Sequence, residues 1–260
     1  MHILTITNRK GGTGKTTVSV NLAAEFAALG HRVLLIDLDS QGHCAVGLGI
    51  KQVTGAKSAH DLFTDSQAKL SDAIRPSNLD NLSLAPADTR FDHSQCNPDE
   101  TRLKRAITEE GIDRRFDIVV IDTPPSLDLL LMNALLAATH VVVPYVPHHL
   151  SFEGVRQLVR VLLPVMTRRN RGLKIAGFIP TMANERIRQH RTITGNVSTD
   201  FGESKLLPTI RSDIRLAEAM AKGEPIRSYA IKSRGAEDFA TLATEVLRRI
   251  RLPAAPGAVD

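Results

Sequence analysis

The chain holds only two cysteines, Cys44 and Cys96, far apart and without a Cys-x-x-Cys spacing. That excludes a disulfide framework, a redox pair and a cysteine zinc site, and leaves both as incidental small side chains. No apolar stretch reaches the ~18 residues that a membrane-crossing helix needs. No charged-then-apolar leader precedes the first strand pattern, so a cytoplasmic protein is expected. Repeats and low-complexity tracts are missing as well. His43, His93 and Cys96 do not share ligand spacing, which argues against a metal cluster among them. What is present is a globular composition, 42% hydrophobic in 260 residues. That suffices for one core and one domain over residues 1–251, followed by a short tail, 252–260.

The net charge of +5 is unevenly placed. Residues 1–150 carry 14 Lys/Arg and 17 Asp/Glu and residues 151–260 carry 19 and 11, which together make the chain's 33 and 28. A basic second half suits a polyanion, because clustered Lys/Arg displace condensed counterions from nucleic acid. An ordinary solvated basic surface has the same composition.

The most informative stretch is Arg9-Lys10-Gly11-Gly12-Thr13-Gly14-Lys15-Thr16-Thr17, set between an apolar alternating run and a helical pattern that begins near Gly14. A chain that wraps an oligophosphate must turn tightly and aim its N–H groups inward, and glycines permit this. Lys15 is placed to reach the β- and γ-phosphates, the Thr16 hydroxyl to bind Mg²⁺, and the helix N-terminus to add partial positive charge. The nucleotide cradle is therefore expected to comprise Gly11, Gly12, Thr13, Gly14, Lys15, Thr16 and Thr17. The pattern G-x-x-x-x-G-K-[ST] departs at its first position, where Arg9 stands, and a second lysine, Lys10, sits at the rim.

Continuous apolar runs at residues 32–36 and 118–121 end in Asp37-Leu38-Asp39-Ser40-Gln41-Gly42 and in Asp122-Thr123-Pro124-Pro125. Such runs read as strands buried on both faces of a parallel sheet. Strands are also expected at 81–86, 140–146 and 174–180, and helices at 98–110, 151–169 and 236–251. The alternation predicts a doubly wound α/β fold, a mostly parallel sheet with helices on both faces and ligands at the strands' carboxyl ends. Asp37, Asp39 and Asp122 then lie beside the triphosphate, and Asp122 can hold Mg²⁺ through water. Strand-end carboxylates that merely cap the next helix are the bland alternative. Residues 43–81 read as a peripheral segment, and His148-His149 as a surface loop pair. Arg186, Arg188, His190 and Arg191 load one helical segment with positive charge.

The run Lys10-Gly11-Gly12-Thr13-Gly14-Lys15-Thr16-Thr17 resembles the K-G-G-x-G-K-T-T motif of the ParA/MinD superfamily, the deviant Walker A ATPases. The likeness covers Lys10 to about Glu245 and is nearest to small ParA-type, Soj-like partition ATPases. It implies ATP and Mg²⁺ as cofactors, with catalytic roles for Lys10, Lys15 and Asp39. Lys10 would reach phosphates bound by the other subunit of an ATP-dependent homodimer, and Asp39 would position the attacking water. Asp37 to Gly42 resembles the family's D-x-D-P-Q-G with Ser40 for proline, and Asp122 matches Walker B, so Thr16, Asp37 and Asp122 would serve the metal. Asn184 falls where relatives contact adenine, and Pro208, Ile210 and Asp213 lie in a segment like the family's I-P-x-x-x-x-L-x-E-A. The resemblance further implies slow, partner-stimulated ATP hydrolysis and non-specific DNA binding. Arg188, Arg191, Arg211, Arg215, Lys222 and Arg248 are the candidate contacts. A plasmid, chromosome or protein complex would be the cargo, a ParB-like or other adaptor the stimulator, and the nucleoid the place of work. The first strand begins at residue 2, so operator-specific repression is not expected. The alternative is a MinD-like membrane-surface ATPase, against which stands a proline-broken tail unsuited to an interfacial amphipathic helix. An iron-sulfur reductase or a ligase on the same fold lacks its cluster cysteines or a second-substrate pocket.

Overall fold

The computed structural model describes residues 1–51 and 55–252, so most of the expected tail lies outside the described residues. Strands β1 (His2–Ile6), β2 (Val33–Asp37), β3 (Arg75–Pro76), β4 (Leu82–Ala85), β5 (Ile118–Asp122), β6 (His140–Tyr145) and β7 (Lys174–Pro180) form one sheet. Their order is β3-β4-β2-β5-β1-β6-β7. Every pairing is parallel except that of the short β3, which runs antiparallel to β4 at the edge.

Period-two alternation divides the strand residues between two cores. Ile3, Leu34, Ile36, Val119, Ile121, Val141 and Val143 face one side, where helices Arg102–Glu109, Leu129–Ala137, His149–Pro164 and Arg188–Phe201 cover them. Leu4, Ile6, Val33, Leu35, Ile118, Val120 and Val142 face the other, under helices Lys15–Ala28, His43–Gly47 and Arg234–Ile250. Strands apolar at every position are what a sheet covered on both faces requires. The fold is thus the doubly wound α/β arrangement expected.

Two stretches differ from the expectation. The helix expected over 151–169 runs from His149 to Pro164 and gives way to a π-helical turn, Val165–Arg169. Pro164 has no N–H to donate to the preceding turn, and a widened turn absorbs the missing bond. The stretch 43–50, expected to be peripheral, instead sends one face into the core. Cys44 and Ala45 are fully buried there, with Leu48 beside them.

Candidate nucleotide and metal site

The site lies at the carboxyl ends of β1, β2 and β5, where parallel register brings distant residues level. Asp37 pairs with Asp122 across β2 and β5, and Ile6 pairs with Asp122 across β1 and β5. The glycine loop that leaves β1 is pinned at both ends. Asn8 donates through Nδ2 to the Pro144 carbonyl (2.8 Å) and accepts from the Lys10 amide (3.0 Å). The Thr181 hydroxyl donates to the Thr13 carbonyl (2.9 Å). Gly12 (φ 72°) and Gly14 (φ 82°) occupy the left-handed region, which a side chain would strain. Gly14 starts helix Lys15–Ala28 with no side-chain cap and no acidic residue in the first turn. Its free N–H groups and positive dipole end are left for an anion.

Lys15 is buried within this loop. Desolvation lowers its pKa, and the carboxylates of Asp122 and Asp39 oppose that shift. Asp122 accepts from the Thr16 hydroxyl (2.7 Å) and the Ser19 hydroxyl (2.8 Å). Full burial pushes its pKa up to about 6 against those bonds and the Lys15 charge. Asp37 is also fully buried and is pushed up by desolvation and then by the Asp122 charge, while accepting from the amides of Asp39 (3.0 Å) and Cys44 (3.1 Å). Two carboxylates held together out of water repel each other and each favours protonation. A hard divalent cation relieves this, and oxygen donors from Thr16, Asp37 and Asp122 are what Mg²⁺ takes. The residues therefore fit the metal. Asp39 is half-buried at the cleft wall and accepts from the Gln41 amide (3.1 Å).

Two adjoining clefts share Gly14, Thr16, Thr17, His43 and Met182. The polar one, about 690 Å³, is walled by the glycine loop, Asp39 and Pro124-Pro125. The other, about 620 Å³, is apolar and includes Ile210, Asp213, Leu216 and Ala217. A triphosphate suits the first and a base the second. Ile210 and Asp213 line this apolar cleft, although Asp213 also caps the next helix, accepting from Arg215 (3.1 Å) and Gly235 (3.0 Å). Pro208 is placed elsewhere, in a depression with Leu206, Ala240 and Thr244. The Leu207 amide is bonded to the Phe178 carbonyl (2.9 Å), which carries Pro208 along β7 and away from the cleft. Asn184 is exposed and lines neither cleft, and its Oδ1 accepts from the Arg186 amide (3.0 Å). Thr181 and Met182, three and two residues earlier, line the apolar cleft instead.

Four of the six arginines and lysines expected at DNA, Arg188, Arg191, Arg215 and Lys222, are exposed and form no ion pair among the described residues. The other two are engaged. Arg211 donates through Nε to Asp238 (2.9 Å) and through Nη2 to Glu237 (2.7 Å), tying its loop to the last helix. Arg248 forks onto Glu245 (2.7 and 2.8 Å).

Two residues at the site were not expected there. Cys44 is buried against the carboxylate pair, its sulfur 3.6 Å from Asp122 Oδ2, and burial with the two charges pushes its thiol pKa well up. Its position seven residues after Asp37, in a turn that folds back on that strand end, was the available signal. His148 Nε2 lies 3.2 Å from the Lys10 ammonium, while its Nδ1 accepts from the Ser151 amide (3.2 Å). A neutral imidazole can accept at one nitrogen only, so the Ser151 cap leaves Lys10 without a firm bond. Burial and the Lys10 charge lower the His148 pKa.

Residues 1–175 match the AAA domain family. The sporulation initiation inhibitor protein Soj of Bacillus subtilis is 38% identical over 249 residues, covering 94% of this chain and 97% of its own. The septum site-determining protein MinD of Pyrococcus horikoshii, solved with Mg-ADP, superposes with a TM-score of 0.79 at 29% identity, over 94% of this chain and 95% of its own. Cobyrinic acid a,c-diamide synthase of Mycobacterium smegmatis, solved with ADP and magnesium, gives 0.81 at 30% identity, over 98% and 99%. With a glycine loop carrying two lysines, a buried carboxylate pair level with it and these relatives along nearly its whole length, the chain belongs to the ParA/MinD superfamily of P-loop ATPases, on the Soj and ParA side.

Proposed function

We propose that this protein is a partition or positioning ATPase in which Mg²⁺ and ATP close a homodimer that binds DNA without sequence preference, and hydrolysis releases it. The observation that carries the reading is the separation of the two loop lysines. Lys15 is buried in its own cradle, whereas Lys10 is half-exposed at the rim beside His148. The first neutralises the phosphates of its own nucleotide, and the second is free to cross to a twin's.

Phosphoryl transfer to water asks mainly for positioning and charge neutralisation. The loop amides from Gly11 to Thr16 hold the phosphates, Lys15 offsets charge on the transferred group, and Asp39 orients the attacking water. Thr16, Asp37 and Asp122 would hold Mg²⁺, which would supply further charge neutralisation of the phosphates. Pro124-Pro125 at the cleft wall forms a stiff loop suited to sensing the terminal phosphate. Slow turnover makes the nucleotide a timer, and an adaptor of the ParB kind shortens it. Arg188, Arg191, Arg215 and Lys222 contact DNA phosphates, which would keep the dimer on the nucleoid without reading bases.

The test is binding to unrelated DNA duplexes with and without ATP. Binding should require ATP and magnesium, be alike for all sequences, and weaken with log salt by about 0.9 per phosphate neutralised. Equal binding without nucleotide, or none at low salt, would remove the DNA part of the reading.

A further inference from the structure

A second cavity, of about 220 Å³, opens at the carboxyl end of β4, next to the edge strand β3, lined by residues 55–58, Arg75 and residues 86–90. It shares no residue with either nucleotide cleft. Three cations, Lys57, Arg75 and Arg90, stand on its wall against one carboxylate, Asp88. Arg75 is held by a bond from Nη2 to the Lys57 carbonyl (2.7 Å), which occupies one of its five donors. Arg90 lies 3.6 Å from Asp88, and the Arg90 side chain is exposed while that of Asp88 is half-buried, so that pair is weak and readily exchanged.

Ser58 supplies the second, independent observation. It is only 6% exposed, its hydroxyl is buried, and it has no hydrogen-bond partner among the described residues. A buried hydroxyl left unpaired is costly, and such groups call for an explanation by an ion or ligand. Forked guanidinium groups, an ammonium and a hydroxyl around a small cavity form a donor set with an excess of positive charge. Pockets that enclose drug-sized ligands run to about 300–1,000 Å³, so this one suits a compact anion.

We infer that this cavity is a binding site for a small phosphate-bearing anion, held by Lys57, Ser58, Arg75 and Arg90 and separate from the nucleotide site. Free phosphate and the phosphoryl end of a small monoester share this chemistry. One imidazole ties the site to the catalytic turn. His60 Nδ1 accepts from the Asp88 amide (3.0 Å), and its Nε2 lies 3.1 Å from the carbonyl of Leu38, the residue between Asp37 and Asp39.

The experiment is an NMR titration of the whole chain carrying Mg²⁺ and a non-hydrolysable ATP analogue, so that the glycine loop is filled. Inorganic phosphate, then a phosphomonoester such as glycerol phosphate, is added against chloride at matched ionic strength. The amides of Ser58, Thr89 and Arg90 and the ring nitrogens of His60 should shift together and saturate. Tighter saturation by the monoester assigns the ligand as a phosphorylated metabolite, and equal or weaker saturation assigns it as phosphate. Arg75→Gln and, separately, the more exposed Arg90→Gln should each weaken binding about tenfold, the loss of one charge-assisted bond. Two results would overturn the inference: no saturation by either anion up to about 20 mM, well above the concentration for a millimolar site, or drift that chloride reproduces.

Discussion

Replacing Arg211 by alanine separates a structural role from a DNA-binding one. Its guanidinium and its backbone amide both bond to Asp238, the amide at 2.8 Å, and Asp238 is 8% exposed. Arg211→Ala removes the cationic partner and leaves that carboxylate with the amide alone. A hydrogen bond to a charged group contributes about 1.5–3 kcal/mol. The Arg211 side chain is 40% exposed, so solvent screening places the loss near the lower end, about 2 kcal/mol. At roughly 2–4 °C per kcal/mol for a domain near this size, Tm should fall by about 4–8 °C. Thermal and urea unfolding of Arg211→Ala, Asp238→Ala and the double variant form a cycle whose coupling should exceed about 1 kcal/mol. DNA affinity, measured well below Tm, should stay within twofold. An unchanged Tm together with several-fold weaker DNA binding would refute the structural assignment and return Arg211 to the DNA surface.

Asp39→Ala should bind ATP normally, hydrolyse it at least tenfold more slowly and stay on DNA as a dimer, and normal hydrolysis by this variant would remove the water-positioning role. Arg188→Gln and Arg191→Gln should each weaken binding to all duplexes alike and lower the salt slope by about 0.9, as read by fluorescence anisotropy across salt concentrations. Stability should also depend on pH through His140, whose pKa is lowered from 6.5 to about 4 by burial and then by the neighbouring His2 and Lys174. Between pH 6.5 and 4 the unfolded chain binds the proton that the folded one refuses, so stability falls as pH falls through that window. The ring is half-buried, so the contribution is of order 1 kcal/mol, and urea titrations of His140→Asn should show a correspondingly flatter pH dependence.

What the sequence made legible was whatever local chemistry dictates. The glycine loop, the carboxylates ending β2 and β5, and the strands covered on both faces all follow from short runs with one physical solution. That Asp37 and Asp122 stand level was legible once both were read as ends of parallel strands. Contacts made by long-range packing were not. Lys10 and His148 are 138 residues apart, Thr13 and Thr181 are 168 apart, and no local pattern links them. Cys44 looked incidental because its chemistry comes from two buried carboxylates rather than from other cysteines. Arg211 and Arg248 look like free cations in sequence, because their acidic partners are identified only by helix packing and by a rotamer. Of the residues expected on the adenine side, Ile210 and Asp213 line the apolar cleft next to the glycine loop, but β7 carries Pro208 off to one side.

The central claim is that two copies close around shared nucleotide with Lys10 crossing between them. Analytical ultracentrifugation with Mg²⁺ and a non-hydrolysable ATP analogue measures this directly, with Lys10→Ala run in parallel. The account predicts a dimer for the native sequence and a monomer for the variant, with nucleotide binding by each. A native chain that stays monomeric at every concentration with the analogue bound, or a variant that dimerises as well as the native chain, would contradict it.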